Sequence, residues 1–570
     1  MLDLFAEEEE IVETHPTGAA NMDDDEEIVD RGKNRIRKVL LAGHPAVLAF
    51  SSGKDSTVLV ALALNAAREI IASGFECPPI VVTHGNTGVE QPEIVKLAES
   101  EIQKMTEYAE KHNIPLTTKI SQPTLNASFP VRVIGGRALP SFPDNRADCS
   151  TDWKVSVNMR AQKEVFSALD GMGIWKAPVV MTGVRKDESI ARDQRIAKRG
   201  EKADEIWEND LGALRLTPLL DYTVDDIWTV IGLCHGGVVP AYSDFAGVLE
   251  VYRAGGGDSC VIVADMKSAG NAKPCGTRTG CWACTRVGED RSMSQMIASD
   301  QERYGYLEPL ARLRDFISRT QHDWSRRHFV GRSIDEDGYI NVQADVYSPT
   351  MLQELLRYTL SAQVVSGVQI ISIPQLIAID ARWSQYAFAP PFTALKIYFE
   401  VMSGKLELAP EVKRFPKTPV PRIGKIHVGA TSHNGAMKGG VSGLRNVGAE
   451  VFHESCGFSL KTLKDGSLVI DTEEEDDFSV DTEGAGDFLA FIADEKIEDY
   501  CHESCSDWTW GFKTYIQYGV LSIAKGKSSQ VHEILQRSQW RQENDLHGQR
   551  DQATLEARCD VLFTAQLELI

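Results

Sequence analysis

Short apolar segments alternate with longer segments of helical periodicity between residues 39 and 220. The short segments are typical of buried strands, and the longer ones repeat apolar residues every three or four positions. The predicted strands cover residues 47–50, 80–83, 116–120 and 179–182. This alternation predicts an α/β fold built on a doubly wound parallel sheet, in which ligands bind at the carboxyl ends of the strands.

Beyond residue 300 the pattern changes. Apolar spacing predicts helices over residues 311–327, 348–376 and 519–544. Glycines and an acidic run at 473–477 predict an exposed loop in a small appended domain. The predicted units are a disordered acidic leader (1–32), an α/β domain (33–235), a cysteine-rich segment (236–300), a helical extension (301–420) and an α+β C-terminal domain of unassigned role (421–570).

The turn after the first strand carries the clearest chemical signal. A strand, a tight turn and a helix N-terminus aim backbone N–H groups and the positive end of a helix dipole at one point, which suits a phosphate. Gly53 permits close approach, Lys54 supplies a charge and the serine hydroxyls supply further donors. The glycine spacing of a Walker A loop is missing. The predicted ligands of this phosphate loop are Ser51, Ser52, Gly53, Lys54, Asp55 and Ser56.

Polar turns also follow the second and fourth strands. Because the carboxyl ends of parallel strands meet at one edge of the sheet, their side chains are expected beside the phosphate loop. Guanidinium groups there would neutralise a triphosphate or hold a departing pyrophosphate. The competing interpretation is a solvated, charged start of a helix. The candidate ligands in these turns are His84, Asn86, Glu90, Gly183, Arg185 and Arg192.

The composition limits the class of protein. No run of about 18 apolar residues is present, and the N-terminus is acidic where a signal peptide would be basic and then apolar. We therefore expect a cytoplasmic protein without membrane contact, whose 11 cysteines are thiols or metal ligands rather than disulfides. The formal net charge of −22 argues against non-specific DNA binding by the whole surface.

Five of the six cysteines between residues 149 and 284 form the second chemical signal, namely Cys149, Cys260, Cys275, Cys281 and Cys284. Cys281 and Cys284 form a Cys-x-x-Cys pair in a glycine-containing loop. Zinc accepts mixed cysteine and histidine ligands, whereas an iron–sulfur cluster favours thiolates. No histidine lies between Cys260 and Cys284 in the sequence, which favours a [4Fe-4S] cluster.

The fourth ligand of this cluster has two candidates beyond Cys275, Cys281 and Cys284. Cys149 is flanked by Arg146 and Lys154, whose charges favour its thiolate. Cys260 is the alternative. We assign Cys149 as the ligand and Cys260 as a sulfur carrier, and the opposite allocation stays open.

The motif SSGKDS at residues 51–56 resembles the SGGKDS loop of the N-type ATP pyrophosphatases, with Ser52 in place of the second glycine. Residues 39–300 resemble the phosphoadenylyl-sulfate reductase family within that superfamily. This resemblance implies an adenine nucleotide α-hydrolase-like fold that cleaves ATP to AMP and pyrophosphate. The residues implied in that reaction are Lys54, Asp55, Arg185 and Arg192, with Mg²⁺ offsetting charge and Asp55 as a candidate to position that ion or a water.

The segment CGTRTGCWACTRV at residues 275–287 is similar to the cysteine segment of DNA phosphorothioation sulfurtransferases of the DndC and SspD type. In that family the segment is associated with an oxygen-sensitive [4Fe-4S] cluster. The resemblance implies that a DNA backbone phosphate is adenylated and that sulfur replaces a non-bridging oxygen. It also implies a cysteine desulfurase as sulfur donor, other phosphorothioation proteins as partners and a role in defence against phage.

Three alternatives stay open. A phosphoadenylyl- or adenylyl-sulfate reductase would share the first half, but the Glu-Cys-Gly-Leu-His tail and the adjacent Cys-Cys pair of those enzymes are absent from the sequence. A tRNA thiolation enzyme fits the chemistry, although a charge of −22 leaves little basic surface for RNA. The non-enzyme alternative is a nucleotide-gated component of a defence complex that switches conformation without turnover.

Overall fold

A six-stranded sheet forms the centre of the first half of the chain. Its strands are β1 (Ala46–Phe50), β2 (Ile80–Gly85), β3 (Leu116–Ser121), β4 (Val179–Met181), β5 (Trp207–Glu208) and β6 (Leu214–Leu216). The strand order is β3-β2-β1-β4-β6-β5. Neighbouring strands pair in parallel, except that β5 pairs antiparallel with β6 at one edge. The predicted doubly wound α/β sheet is confirmed.

The computed structural model describes residues 22–141, 153, 156–188, 190–209, 212–256, 280–285, 288–334, 339–427, 459–462, 468–471, 476–502, 506–543, 547–548 and 557. Within these ranges the helices are α1 (Met22–Leu41), α2 (Lys54–Ala72), α3 (Pro92–Lys111), α4 (Ser156–Asp170), α5 (Ile190–Arg199), α6 (Val224–His235), α7 (Ala246–Gly256), α8 (Arg291–Ser299), α9 (Gln301–Tyr304), α10 (Glu308–Arg319), α11 (Pro349–Ser366), α12 (Ile373–Gln385), α13 (Thr393–Met402), α14 (Thr482–Asp487), α15 (Ala493–His502), α16 (Trp510–Gln517) and α17 (Ser528–Glu543). None of these helices combines the length and the apolar character needed to cross a membrane.

Helix α2 is buried along most of its length. It packs against β1 on one side and against α1 and α6 on the others, so its apolar residues are not confined to one face. Its first residue, Lys54, directly follows the turn that ends β1. The buried helix therefore fixes the position of the phosphate loop relative to the sheet.

Residues 22–32 belong to α1 and not to a disordered leader, so that prediction is wrong for this part, while residues 1–21 lie outside the described residues. Val29 is buried against the core despite the acidic residues around it. Arg35 is 8% exposed and donates to Asp221 at 2.6 Å and to Asp204 at 2.7 Å. Tertiary ion pairs and apolar burial thus order a segment whose composition alone indicates disorder.

The helical extension predicted over residues 301–420 contains a β-hairpin. Three antiparallel strands form a second sheet, namely β7 (Arg327–Ile334), β8 (Tyr339–Tyr347) and β9 (Arg422–His427). The helix predicted over 348–376 is divided at Gly367, which caps α11 with a φ of +70°. Ser372 then starts α12 with a capping box. The remaining strands are β10 (Ser459–Thr462), β11 (Leu468–Asp471), β12 (Phe478–Val480) and β13 (Leu521–Ile523).

The acidic run at 473–477, predicted as an exposed loop, ends in two anchored carboxylates, while residues 473–475 lie outside the described residues. Asp477 is 7% exposed and pairs with the buried Arg382 of α12 at 2.5 Å. Asp476 accepts a hydrogen bond from the Thr124 hydroxyl at 2.7 Å. The C-terminal region is therefore attached to the segment that follows β3.

Asp380 gives this C-terminal region a pH-dependent stability. Its buried carboxylate accepts hydrogen bonds from the N–H groups of Phe392 and Ala394 and from the Tyr515 hydroxyl. Burial raises the pKa of Asp380 to about 6. Because the pKa is higher in the folded state than in the unfolded state, the stability contributed by this group rises as pH falls through 6 towards 4.

We expect Asp380→Asn to remove this dependence. The free energy of unfolding of the wild type, relative to the variant, should increase by roughly 1 kcal/mol per pH unit between pH 6 and 4. Urea unfolding at several pH values, followed by tryptophan fluorescence, measures it. Asp494→Asn on exposed α15 is the control, and a difference that stays constant over this range would contradict the prediction.

Candidate active site

A cavity of about 630 Å³ lies at the carboxyl ends of β1, β2 and β4. The phosphate loop forms one wall, and the turn after β2 forms another. Gly183 after β4 and Tyr252 of α7 also line it, as does Cys281. The cavity therefore brings the predicted phosphate site and one of the predicted sulfur ligands into the same space.

Hydrogen bonds within the phosphate loop hold its turn closed. The Ser56 hydroxyl donates to the Gly53 carbonyl at 2.9 Å and accepts from the Ser51 N–H at 3.1 Å. Ser52 has a φ of +54°, a conformation that glycine adopts at least cost. This explains why related loops carry glycine at the equivalent position. Here Ser52 is 1% exposed and keeps the same turn with a side chain.

Asp55 holds two of the three predicted cations of the site, Lys54 and Arg185. The Lys54 ammonium lies 3.2 Å from Asp55 Oδ2, and the Arg185 guanidinium donates to Oδ1 at 2.5 Å. Arg185 is 1% exposed and faces this carboxylate, so its predicted contact with phosphate stays a prediction. Lys54 is 5% exposed, buried rather than free in solvent. The carboxylate thus sets where the two positive charges lie before any nucleotide arrives.

Gly183 packs directly on the start of α2. A Cβ atom at this position would lie 2.8 Å from the Asp55 carbonyl oxygen and 3.1 Å from the Ser56 nitrogen. Both are backbone atoms and cannot rotate away. Only glycine therefore lets the loop after β4 pack this closely on the phosphate loop, and the nucleotide-binding role of Gly183 stays a prediction.

The predicted ligands after β2 line the same cavity. His84 is buried, with Nδ1 3.1 Å from the Phe50 carbonyl oxygen. Asn86 accepts a hydrogen bond from the Gly88 N–H at 3.0 Å, which closes the turn. The Glu90 carboxylate accepts from the N–H and the hydroxyl of the buried Thr87, at 3.0 and 2.5 Å. These bonds fix the turn and place the Glu90 carboxylate in the cavity.

The Cys-x-x-Cys segment docks on this turn as a short strand. Cys281 forms an antiparallel bridge with Glu90, and the Trp282 N–H donates to the Val89 carbonyl at 3.0 Å. Cys284 donates its N–H to the Cys281 carbonyl at 3.0 Å, so the pair forms a tight turn. Both thiols are partly exposed. Backbone pairing thus holds the cysteine segment against the nucleotide cavity.

Three aromatic rings, those of Phe129, Trp153 and Trp282, pack together next to the cysteine pair. The Phe129 ring lies 5.1 Å from the Trp282 ring and 5.6 Å from the Trp153 ring, measured between centroids. The Trp153 indole N–H donates to the Ala127 carbonyl at 2.8 Å. All three rings are 5% exposed or less. The cluster joins the connection after β3 to the cysteine pair.

The structure brings together only some of the predicted residues. Arg192 lies on α5, and its side chain is not among those described. Cys149, Cys260 and Cys275 lie outside the described residues. In the described part of the chain, no group of three His, Cys, Asp or Glu side chains is arranged to hold a metal ion. The predicted cluster ligands other than Cys281 and Cys284 therefore stay predictions.

Tyr252 and Asn158 are cavity residues that the sequence did not indicate. The Tyr252 hydroxyl accepts a hydrogen bond from the Lys54 N–H at 3.1 Å, and its ring lies 5.8 Å from the Lys54 ammonium. Asn158 projects from α4, next to Gly85. No motif marks either residue, because α4 and α7 reach the cavity through the tertiary fold.

Residues 45–287 match the phosphoadenosine phosphosulfate reductase domain. This stretch contains the phosphate loop, the turn after β2, Gly183 and the cysteine pair. The chain therefore carries a reductase-like, nucleotide-utilising domain, as the sequence resemblance indicated. No curated protein matches the chain at a significant level.

Solved structures similar to the chain include three of different activity. FMN adenylyltransferase of Candida glabrata, in complex with FMN and an ATP analogue, is 16% identical over 38% of this chain, with a TM-score of 0.22. Phosphoadenylyl-sulfate reductase of Candida auris, a phosphate complex, is 12% identical over 41% of this chain and 93% of its own, with a TM-score of 0.22. U34-tRNA thiolase NcsA of Methanococcus maripaludis, with its [4Fe-4S] cluster, is 11% identical over 52% of this chain and 80% of its own, with a TM-score of 0.25. The chain spans 60% of the FMN adenylyltransferase, less than two thirds of its length.

The contact between Gly183 and α2 is testable in the reductase-like domain. Gly183→Ala should push the start of α2 away from β4, lowering ATP affinity at least about tenfold and stability by about 1–3 kcal/mol. Isothermal titration with ATP and urea unfolding measure the two effects.

Gly232→Ala in α6 is the matched control. A Cβ atom there meets nothing within 4 Å, so alanine should raise stability by up to about 1 kcal/mol and leave ATP binding unchanged. An ATP affinity of Gly183→Ala equal to that of the wild type would contradict the steric argument. It would show that the site accommodates a methyl group between the loop after β4 and the start of α2.

Proposed function

We propose that the protein is an ATP pyrophosphatase and sulfurtransferase that adenylates a DNA backbone phosphate and enables replacement of a non-bridging oxygen by sulfur. The observation that carries this proposal is the shared cavity, lined by the phosphate loop and by Cys281. Nucleotide activation and sulfur delivery would then take place in the same cavity. The similarity of residues 275–287 to DNA phosphorothioation sulfurtransferases supports DNA as the acceptor.

The first step activates the acceptor. A non-bridging oxygen of the DNA phosphodiester attacks the α-phosphorus of ATP, and pyrophosphate leaves with the electron pair of the broken bond. Lys54 and the turn from Ser51 to Ser56 would hold the departing phosphates, because they lie at the amino end of α2. The DNA phosphate now carries AMP, a better leaving group than an oxide ion.

The second step delivers sulfur. A cysteine desulfurase supplies a persulfide to the enzyme, and we assign Cys260 as its carrier. The terminal sulfur attacks the activated phosphorus, and AMP leaves with the electron pair. A second thiol then attacks the remaining S–S bond, which releases the phosphorothioate and leaves a disulfide for an external dithiol to reduce. These steps suit the cytoplasm, where thiols stay reduced.

The described residues fit part of the donor set of an iron–sulfur cluster. Cys281 and Cys284 supply two thiols in one tight turn. Ser141 donates to or accepts from Thr285 at 2.5 Å, and Trp153 reaches Trp282 through Phe129. The described residues on either side of Cys149 are therefore both held beside this pair. Cys149, Cys275, Cys281 and Cys284 would hold the cluster. Its iron would supply a binding site for a sulfur ligand.

The described residues do not fit a protein-held Mg²⁺ ion. Both oxygens of Asp55 already accept from cations, Lys54 and Arg185. The Glu90 oxygens accept from Thr87. The predicted role of Asp55 in positioning Mg²⁺ is therefore unsupported, and its carboxylate serves to hold the two cations.

A sulfonucleotide reductase is the second candidate. The family match over residues 45–287 favours it. It would reduce an adenylyl sulfate and release sulfite, with no requirement for DNA. Sulfite production therefore separates the two candidates.

Lys54→Ala should abolish conversion of ATP to AMP and pyrophosphate, because the variant has no charge beside the departing phosphates. Thin-layer chromatography of labelled ATP and a pyrophosphate assay measure this. The Asp55–Arg185 pair remains, so the variant should stay folded, as urea unfolding will verify. Lys111→Ala, at the far end of α3, is the control. In cells, Lys54→Ala should fail to restore phosphorothioate linkages, measured by mass spectrometry of digested DNA.

Several outcomes would contradict the assignment. ADP and phosphate as products would exclude pyrophosphatase chemistry. Unchanged phosphorothioate content with lost sulfite production would favour the reductase, and lost thionucleosides in tRNA would favour RNA thiolation. Absence of pyrophosphate release by the wild type with substrate bound would favour a nucleotide-gated component.

Cys281→Ser and Cys284→Ser should each remove the visible absorption of anaerobically purified protein, which we expect to hold about four irons per chain. Iron analysis and absorbance spectroscopy measure this. Cys501→Ser, which alters an exposed thiol of α15, should leave the iron content unchanged. Stoichiometric zinc without iron would contradict the cluster.

A further inference from the structure

A basic strap crosses the molecule beside the cysteine segment. We define the basic strap as residues 409–418, which contain Lys413, Arg414 and Lys417 and one acidic residue, Glu411. The chain as a whole has 60 Lys and Arg against 82 Asp and Glu. A local excess of positive charge in such an acidic protein marks a surface with a specific partner.

Backbone contacts hold the strap on α10 without using its charged side chains. Arg312 donates to the Ala409 carbonyl at 2.9 Å, and Arg319 donates to the Val412 carbonyl at 3.3 Å. The Phe415 N–H donates a hydrogen bond to the Arg319 carbonyl at 2.9 Å. The strap is therefore a fixed element, although it forms neither helix nor strand.

The strap lysines point into solvent. Lys413 and Lys417 are exposed, and within the described ranges neither pairs with a carboxylate. Two carboxylates of the neighbouring segments are engaged elsewhere, since Asp315 pairs with Arg319 and Asp323 pairs with Arg326. The two lysine charges are thus available to an external anion.

Further cations and aromatic rings extend this surface. Burial lowers the pKa of the His322 imidazole, and neighbouring cations lower it further. Those cations are Arg327, Lys417 and Arg414. Trp324 lies next to them, with its indole N–H donating to the Thr418 hydroxyl at 2.6 Å, and the Phe415 ring is 37% exposed. Cations interleaved with aromatic rings are typical of surfaces that bind single-stranded nucleic acid.

The strap also contacts the segment that carries the cysteine pair. Arg414 donates to the Gly288 carbonyl at 2.6 Å, and Arg314 donates to the same oxygen at 3.1 Å. Asp290, two residues on, lies beside Gly280, which lines the active-site cavity. A strand bound on the strap therefore has a short path to the cavity.

We propose that the basic strap binds the sugar–phosphate backbone of a nucleic-acid strand and guides it to the cavity. This inference rests on the proposed function, because a polyanionic acceptor must reach the activated nucleotide. Lysine and arginine would contact phosphates, and Trp324 and Phe415 would stack on bases. The surface is local, so it is compatible with the net charge of −22.

The experiment compares two double variants in the full chain. Lys413→Ala with Lys417→Ala removes the strap charges. Lys38→Ala with Lys111→Ala removes equal charge at the carboxyl ends of α1 and α3. These helix ends lie near the amino ends of the strands, away from the cavity. Fluorescence anisotropy with single-stranded DNA and RNA oligonucleotides, at several salt concentrations, measures binding.

We expect the strap variant to bind more weakly than wild type to every oligonucleotide sequence. The slope of log affinity against log salt should become shallower by about 1.4, since each phosphate that a lysine no longer neutralises reduces the slope by about 0.7. The control variant should match wild type, and conversion of ATP without DNA should be equal in all three proteins.

Each result decides the inference. Unchanged binding in the strap variant, an equal decrease in the control, or no binding by wild type would overturn it. Weaker DNA binding confined to the strap variant supports it, whereas an effect confined to RNA supports the surface but contradicts DNA as the acceptor. Failure of the proposed function is seen separately, as unchanged phosphorothioate content in cells that lack the protein.

Discussion

The candidate active site depends on one partly buried carboxylate shared by two cations. Asp55 lies between Lys54 and Arg185 at the start of α2, and both cations are at least 95% buried. Buried charges are stable only when paired, so the carboxylate determines where they rest. A phosphate entering the cavity meets a lysine whose position is already set. A positive charge that is already in position would stabilise the negative charge on a phosphoryl group during transfer, because the site need not rearrange.

The same packing places Cys281 next to the predicted phosphate loop. The turn after β2 has a cavity face formed by His84 and Glu90, and its backbone pairs with Cys281 and Trp282. Other cysteines are unsuited to this role, since burial raises the pKa of Cys77 and of Cys234 to about 12. Those thiols stay protonated and inert, whereas Cys281 lines the cavity. Among the described cysteines, position separates the buried thiols of Cys77 and Cys234 from the partly exposed thiol of Cys281 in the cavity wall.

Apolar periodicity and turn residues predicted the strands and helices that depend mainly on neighbouring residues in the sequence. The strand, turn and helix at residues 46–72 follow from apolar periodicity and a glycine, so they were predictable. Helix α1 was not, because Arg35 and Val29 find their partners about 170 residues away or in the core. Tyr252 was missed for the same reason, since only the tertiary fold brings α7 over Lys54. The β7–β8 hairpin was hidden because its register depends on pairing with β9, far along the chain.

The C-terminal region is part of the active-site architecture because its carboxylates support the connection that holds the cysteine pair. Asp477 pairs with Arg382 and accepts from the Asn126 amide at 2.9 Å. Asn126 directly precedes the segment whose Phe129 packs on Trp282. Helix α12 adds a second contact, as its Trp383 donates to the Ile134 carbonyl at 2.8 Å. These links are buried or partly buried, so we expect a displacement at Asp477 to reach the cysteine turn through packed side chains. Residues outside the predicted motifs thereby help to set the position of the Cys281–Cys284 turn beside the cavity.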